Sequence, residues 1–288
     1  MLKIMVDSSD RTSPMNLHVS VRGSGFPLLC LHGHPGSGRS MSVFADRLSR
    51  RFQTLSPDLR GYGRSRPSGD FEMSDHLGDL DALLDRYGIG QFAVLGWSLG
   101  GILAIELALR HPGRVTGLIL VASAARPRGN HPPVSWQDLL YTGVAGLINR
   151  VVPAWSWNIE TFGKRSLLRY LLGEHTPEAY RYLASEGMDA YLRTSSAATR
   201  ALNRALRARY DRSADLGRID CPALVMAGAA DCHITAESSW ETASLLPGAR
   251  WQCYPNNAHL FPWEIPDRAI AVVEGWVEEN WHAIVPSS

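Results

Sequence analysis

No uninterrupted apolar run in this chain reaches the eighteen or so residues needed to cross a bilayer. The opening residues, MLKIMVDSSDRTSP, contain no apolar signal core. No membrane span is therefore expected, residues 1–15 read as a flexible lead, and the default compartment is the cytoplasm. Net charge is nearly absent as well. A formal +1 over 288 residues argues against a nucleic-acid partner, because such a surface shows as a basic excess. Cysteine is scarce: Cys30, Cys221, Cys232 and Cys253 include no CxxC pair, so neither a disulfide frame nor a zinc knuckle is indicated. Cys232 reads as a small loop residue. No His/Asp/Glu cluster has metal-ligand spacing along the sequence, so neither a metal nor a cofactor is expected.

What is present is ordinary globular material, 45% hydrophobic and 20% charged, in a chain long enough to bury a substantial core. Its first half alternates strand-like and helix-like segments. Leu17–Arg22 and Pro27–His32 flank Gly23-Ser24-Gly25, which reads as a hairpin turn. Gln53–Pro57, Phe92–Gly96 and Gly117–Ala122 are short apolar runs of the kind buried on both faces of a parallel sheet. Between them Leu77, Leu80, Leu83, Leu84 and Tyr87 recur at helical spacing, with Ser74 placed to cap the helix and Gly88 to stop it. Such alternation indicates an α/β architecture. From about 126 to 214 no convincing strand occurs. Helix-like pieces fall instead near 135–149, 156–172, 177–192 and 195–210, punctuated by Pro132-Pro133, Pro153 and Pro177. Strand rhythm returns at Pro222–Gly228 and Arg250–Tyr254. The expected organisation is a core of residues 16–125 and 215–288 with a helical cap, 126–214, inserted as a lid.

The most informative stretch is QFAVLGWSLGGILAI at 91–105. Gly96-Trp97-Ser98-Leu99-Gly100 fits the Gly-x-Ser-x-Gly nucleophile elbow, with a strand before it and a helix after it as the motif requires. Ser98 would sit at the apex in a strained backbone geometry, at the N-terminal end of a helix dipole that favours negative charge. A serine hydroxyl is a poor nucleophile and needs a base, a group that orients the base, and an oxyanion site. Asp231 follows the apolar strand in LVMAGAADCHI, and His259 follows the next strand in Asn256-Asn257-Ala258-His259. Asp231 also suits a helix N-cap ahead of Ile234-Thr235-Ala236-Glu237. Of the other histidines, His233 is expected to point away from Asp231, His111 to sit at a helix end where an imidazolium suits the dipole, and His76 and His282 to be solvated.

The chain order Ser98, Asp231, His259 is that of α/β-hydrolases, and from about residue 17 to 282 the sequence resembles that superfamily. His32-Gly33-His34-Pro35 looks like its oxyanion loop, and Asp58-Leu59-Arg60-Gly61-Tyr62-Gly63-Arg64-Ser65 like its turn after the following strand. The stretch GWSLGGILAIELALRHPGRVTGLILVASAA is similar to pimeloyl-carrier-protein methyl ester esterases, and it also resembles acyl-homoserine-lactone hydrolases of this fold. The resemblance implies a mostly parallel eight-stranded sheet flanked by helices, Ser98 as nucleophile, His259 as base and Asp231 as its orienter. The backbone N–H groups of Leu99 and His34 would form the oxyanion hole, with His32 holding the loop together and Asp58 structural. Some relatives carry the acid after the strand ending near Ala122, but only Ser123-Ala124-Ala125-Arg126 stands there.

The implied activity is hydrolysis of carboxylic esters or lactones with an apolar acyl portion. The same triad also serves perhydrolysis, haloperoxidation, C–C or amide cleavage, and slow-turnover ligand receptors. His34, Trp97, Trp136, Trp155 and Trp157 are candidates for the substrate pocket. Arg200, Arg204 and Arg207 line one face of a helix, which reads either as a solvated amphipathic surface or as a docking stripe for an acidic carrier protein. A monomer or small homo-oligomer is expected.

Overall fold

The computed structural model describes residues 13–286; most of the expected N-terminal lead, residues 1–12, lies outside the described residues. Seven strands build one sheet: β1 (Val19–Arg22), β2 (Phe26–Leu31), β3 (Phe52–Pro57), β4 (Phe92–Trp97), β5 (Val115–Val121), β6 (Ala223–Gly228) and β7 (Arg250–Tyr254). Their order is β1-β3-β2-β4-β5-β6-β7. Only β1 runs antiparallel; the other pairings are parallel. Two expectations are corrected. The described residues form seven strands where eight were expected, and β1 and β2 are not a hairpin pair. Gly23 (φ +70) does turn the chain, but a Cβ there would lie 2.1 Å from Ser49 O and 2.4 Å from Phe52 O. The turn therefore packs on the entry to β3, which slots between the two strands.

Thirteen helices accompany the sheet among the described residues: α1 (Ser42–Leu48), α2 (Asp75–Arg86), α3 (Leu99–Arg110), α4 (Trp136–Val151), α5 (Ser156–Thr161), α6 (Leu168–Leu171), α7 (Pro177–Tyr182), α8 (Met188–Leu192), α9 (Ser196–Arg207), α10 (Ala236–Leu245), α11 (Phe261–Glu264), α12 (Pro266–Glu279) and α13 (Trp281–Ile284). Strand periodicity sorts the core into two layers. Leu29, Leu31 and Val94 face α2 and α3 on one side, while Leu28, Cys30, Ala93, Leu95 and Trp97 face α1 and α12 on the other. Every residue of β4 and β5 is buried, as expected where helices cover both faces. Helix α2 lies where its apolar spacing predicts, and Gly88 (φ +64) ends it. His76 on that helix is not solvated: it is 1% exposed, with its ring against Phe71 and Tyr62.

Residues 126–214 contain no strand among the described residues. A capping box of Ser135 and Asp138 opens α4. The apolar interior of α4–α8 is small, centred on Ile159, Leu172, Ala179 and Tyr180. Buried amides supplement it: Asn149 donates to Tyr180 O (2.7 Å) and Asn158 to Ala145 O (3.0 Å). The last helix behaves differently. Ala197, Ala198 and Ala201 of α9 join the core layer that contains Phe71 and Leu77.

Candidate active site

Steric crowding sets the geometry around Ser98. A Cβ on Gly96 would lie 2.2 Å from Gly100 O, one on Gly100 2.1 Å from Leu31 O, and one on Gly101 2.3 Å from Ser123 Oγ. Strand and helix can meet this closely only because those side chains are absent. Ser98 is held at φ 54°, ψ −115°, an unfavourable conformation for an L-residue that the surroundings must enforce. They do so by hydrogen bonds: Ser98 N–H donates to Val121 O (2.9 Å), and Ser98 O accepts from Gly101 N–H and the Ser123 hydroxyl (both 2.9 Å). Ser123 thus occupies the edge of β5 with a brace for the turn. Among the described residues the Ser98 hydroxyl makes no hydrogen bond, and neither the Leu99 nor the His34 N–H has a protein acceptor.

Asp231 and His259 come from the loops after β6 and β7. Asp231 Oδ2 lies 2.7 Å from His259 Nδ1, and both side chains are buried. The other carboxylate oxygen accepts the N–H groups of His233 (2.8 Å) and Ile234 (3.0 Å). The helix-capping role belongs instead to Thr235, which accepts from Ser238 N–H at the start of α10. With Asp231 Oδ2 as acceptor, His259 Nδ1 is the donor of this contact, which places the lone pair of a neutral ring on Nε2. The His259 loop has two anchors with no signal in the sequence. Trp97, beside Ser98, donates through Nε1 to His259 O (3.2 Å). Buried Glu264 accepts from Ala258 N–H and the Asn257 amide (both 3.0 Å) and from Glu174 N–H, ahead of α7 (2.6 Å). Burial raises the Glu264 carboxyl above its ordinary range.

The loop before α1 is organised by neutral histidines. His32 Nε2 accepts Leu59 N–H (3.1 Å), which leaves Nδ1 to donate to Gly33 O (2.7 Å). Burial lowers His32 to about 4, so this tautomer persists at neutral pH. His34, also lowered to about 4 by burial, meets the Tyr62 hydroxyl at 2.9 Å through Nδ1. Gly33 faces the nucleophile: a Cβ there would lie 3.1 Å from Ser98 Cβ. Asp58 accepts Gly38 N–H (2.7 Å) and Arg64 N–H (2.9 Å), a structural role.

Residues 126–214 touch both sides of this cluster. Arg39 pairs with Glu186 (3.1 Å) beside the His34 loop, and Leu260 N–H donates to Leu171 O (2.9 Å) beside His259. Of the pocket candidates, Trp97 lies buried under the elbow, edge-on to Trp263 at 5.2 Å. Trp155 packs on Trp157, which in turn packs on Phe162. Trp136 is 70% exposed. A groove of about 780 Å³ lies elsewhere: Leu77, Ile102, Leu202 and Leu206 are among its lining, which includes none of Ser98, Asp231 and His259. Arg200 pairs with Asp70 (2.5 Å) and Arg204 with Glu72 (2.9 Å), so two of the three stripe arginines fasten α9 to the core. His233 does not point away: its ring centroid is 5.3 Å from that of His259, and burial lowers it to about 4.

Comparison with known proteins agrees with this architecture. The chain is 31% identical over 247 residues to a pimeloyl-[acyl-carrier protein] methyl ester esterase of Chromobacterium violaceum, covering 85% of this chain and 91% of that protein. It is 26% identical over 271 residues to the protein of that name in Nitrosomonas europaea, covering 89% and 97%. A solved thermophilic esterase from Thermogutta terrifontis superposes with a TM-score of 0.66 at 26% identity, over 91% of this chain and 93% of that one. A family profile described as alpha/beta hydrolase fold matches residues 27–266, and the chain belongs to that family.

Proposed function

We propose that this chain is a serine hydrolase that cleaves carboxylic esters or lactones with an apolar acyl portion. The observation that carries the reading is the 2.7 Å Asp231–His259 contact, held by Trp97 one residue from the strained Ser98. In the reaction, Ser98 Oγ attacks the substrate carbonyl while His259 Nε2 takes its proton. The carbonyl oxygen becomes an oxyanion facing the Leu99 and His34 N–H groups, each such donor being worth about 3 kcal/mol. The C–O bond then breaks, the leaving alkoxide takes the proton from His259, and an acyl-enzyme remains on Ser98. Water repeats the sequence and releases the acid.

The esterase names of the relatives support ester chemistry. Those names fit a small free ester or a carrier-bound one; of the expected docking stripe, Arg200 and Arg204 pair with Asp70 and Glu72 at the surface, where such pairs exchange readily with a partner's acids. A p-nitrophenyl ester series tests both bond type and pocket. Repeated turnover above about one per second, rising with acyl length and then falling, is expected, since each buried CH₂ contributes about 0.8 kcal/mol until the pocket is full. A single slow event with retained product would contradict the reading and favour a receptor.

A further inference from the structure

Beside the Asp231–His259 pair the fold brings together three side chains that no step above uses. One potential ligand atom from each of His131, Cys232 and His233 lies within 4.8 Å of the other two. Sequence spacing hides this group, because His131 enters the cap about a hundred residues before the other two leave the core. We propose that these residues bind one divalent transition-metal ion, Zn²⁺ by donor chemistry, and that its occupancy inhibits the adjacent hydrolytic centre.

Each donor is available. The Nδ1 of His131 lies 2.6 Å from Pro132 O; a carbonyl only accepts, so Nδ1 holds the proton and Nε2 a lone pair. A ring N–H fixed on a backbone carbonyl is the usual support of a metal-bound histidine. The Nε2 of His233 is buried with no hydrogen-bond partner, a costly state for a polar atom that an ion at this point would relieve. Cys232 Sγ makes one weak contact, to Tyr170 O at 3.3 Å.

The backbone clamps the two segments before any ion arrives. Asn130 N–H donates to Cys232 O and Thr235 N–H to Arg128 O (both 2.9 Å), and the Ser238 hydroxyl donates to Arg126 O (2.6 Å). A Cβ on Gly129 would lie 2.7 Å from His233 O, so the strands of chain lie as close as they can. One thiolate and two imidazoles suit zinc rather than magnesium or calcium. Tetrahedral zinc places such donors roughly 3.3–3.8 Å apart, within a side-chain adjustment of about an ångström. The fourth position is left to water.

Inhibition follows from position. The His233 ring centroid is 5.3 Å from that of His259, and a dication on His233 would oppose the positive charge His259 must acquire on taking the Ser98 proton. Binding stands on this geometry alone; the inhibitory consequence rests on the hydrolase reading.

The test uses the full chain, stripped of metal with a chelator and titrated with Co²⁺. A thiolate-to-cobalt charge-transfer band should saturate at one ion per chain and disappear on adding Zn²⁺. It should be absent in Cys232→Ser, and His131→Ala should bind at least about tenfold more weakly, with melting curves confirming that both variants fold. Zn²⁺ should slow p-nitrophenyl ester hydrolysis by the wild type at least about tenfold, reversibly with chelator, while Cys232→Ser keeps its basal rate and ignores the ion. No band, or a band that survives in Cys232→Ser, overturns the site. Equal Zn²⁺ inhibition of wild type and Cys232→Ser, or none of either, overturns its link to the centre. A chain that gives the band but hydrolyses no ester refutes the hydrolase reading and keeps the site.

Discussion

Each oxygen of Asp231 has separate work. Oδ1 holds two backbone N–H groups of its own loop, and Oδ2 holds His259 Nδ1. Replacing it with asparagine keeps the shape but puts an amide N–H within reach of the imidazole, which favours the wrong tautomer. Asp231→Asn should therefore fold with a nearly unchanged melting temperature while kcat falls by roughly 10⁴; near-wild-type kcat on an ester substrate would show that the pair is structural. The elbow glycines give the opposite pattern. Gly96→Ala sets a methyl 2.2 Å from Gly100 O, a backbone atom that cannot rotate aside. Urea denaturation should show a loss of about 1–3 kcal/mol or more, and activity should fall with it because Ser98 shifts. At this scale the sequence was most legible. Gly96, Ser98 and Gly100 announce themselves by spacing, and Asp231 and His259 by following apolar strands. Glu264 and His233 were not legible, because an acid on a helix start and a histidine in a loop have no periodic or motif signature until the fold places them.

Among the elements, strands and helices fell close to their apolar periods, but partnership did not. The glycine turn at 23–25 has the local chemistry of a hairpin, and nothing local to it encodes the insertion of β3 between β1 and β2. Helix α2 shows the same limit: its leucines gave the stripe, yet His76, adjacent to that stripe, lies wholly inside. Burial, with His32 and Arg60 nearby, lowers His76 to about 3, whereas in the unfolded chain it titrates near an ordinary 6.5. Between those values the unfolded state binds a proton that the folded state refuses, so stability is fullest above about 6.5 and declines as pH falls toward about 3. One such histidine contributes at most about 1.4 kcal/mol per pH unit. Urea midpoints at pH 7 and pH 5 should therefore separate in the wild type and lie closer together in His76→Leu. Equal separation in both would show that the ring protonates without unfolding.

Across the whole molecule, the break in strand rhythm points to residues 126–214, where the described residues form helices joined by loops and no strand. Less visible was how that region is fastened. Arg200 and Arg204 read as a free basic face because their partners, Asp70 and Glu72, lie far away in sequence. Likewise Glu186 reaches Arg39, and Glu174 reaches Glu264, across distances no local pattern encodes. These contacts join residues 126–214 to the segment before α2, to Arg39 and to the loop that carries His259. The proposed chemistry makes Ser98 a nucleophile activated by His259. Intact-mass spectrometry after treatment with a fluorophosphonate tests it most directly. One covalent adduct per chain is predicted, absent in Ser98→Ala and formed orders of magnitude more slowly in folded His259→Ala. No adduct under forcing conditions, or the same adduct in Ser98→Ala, would contradict it.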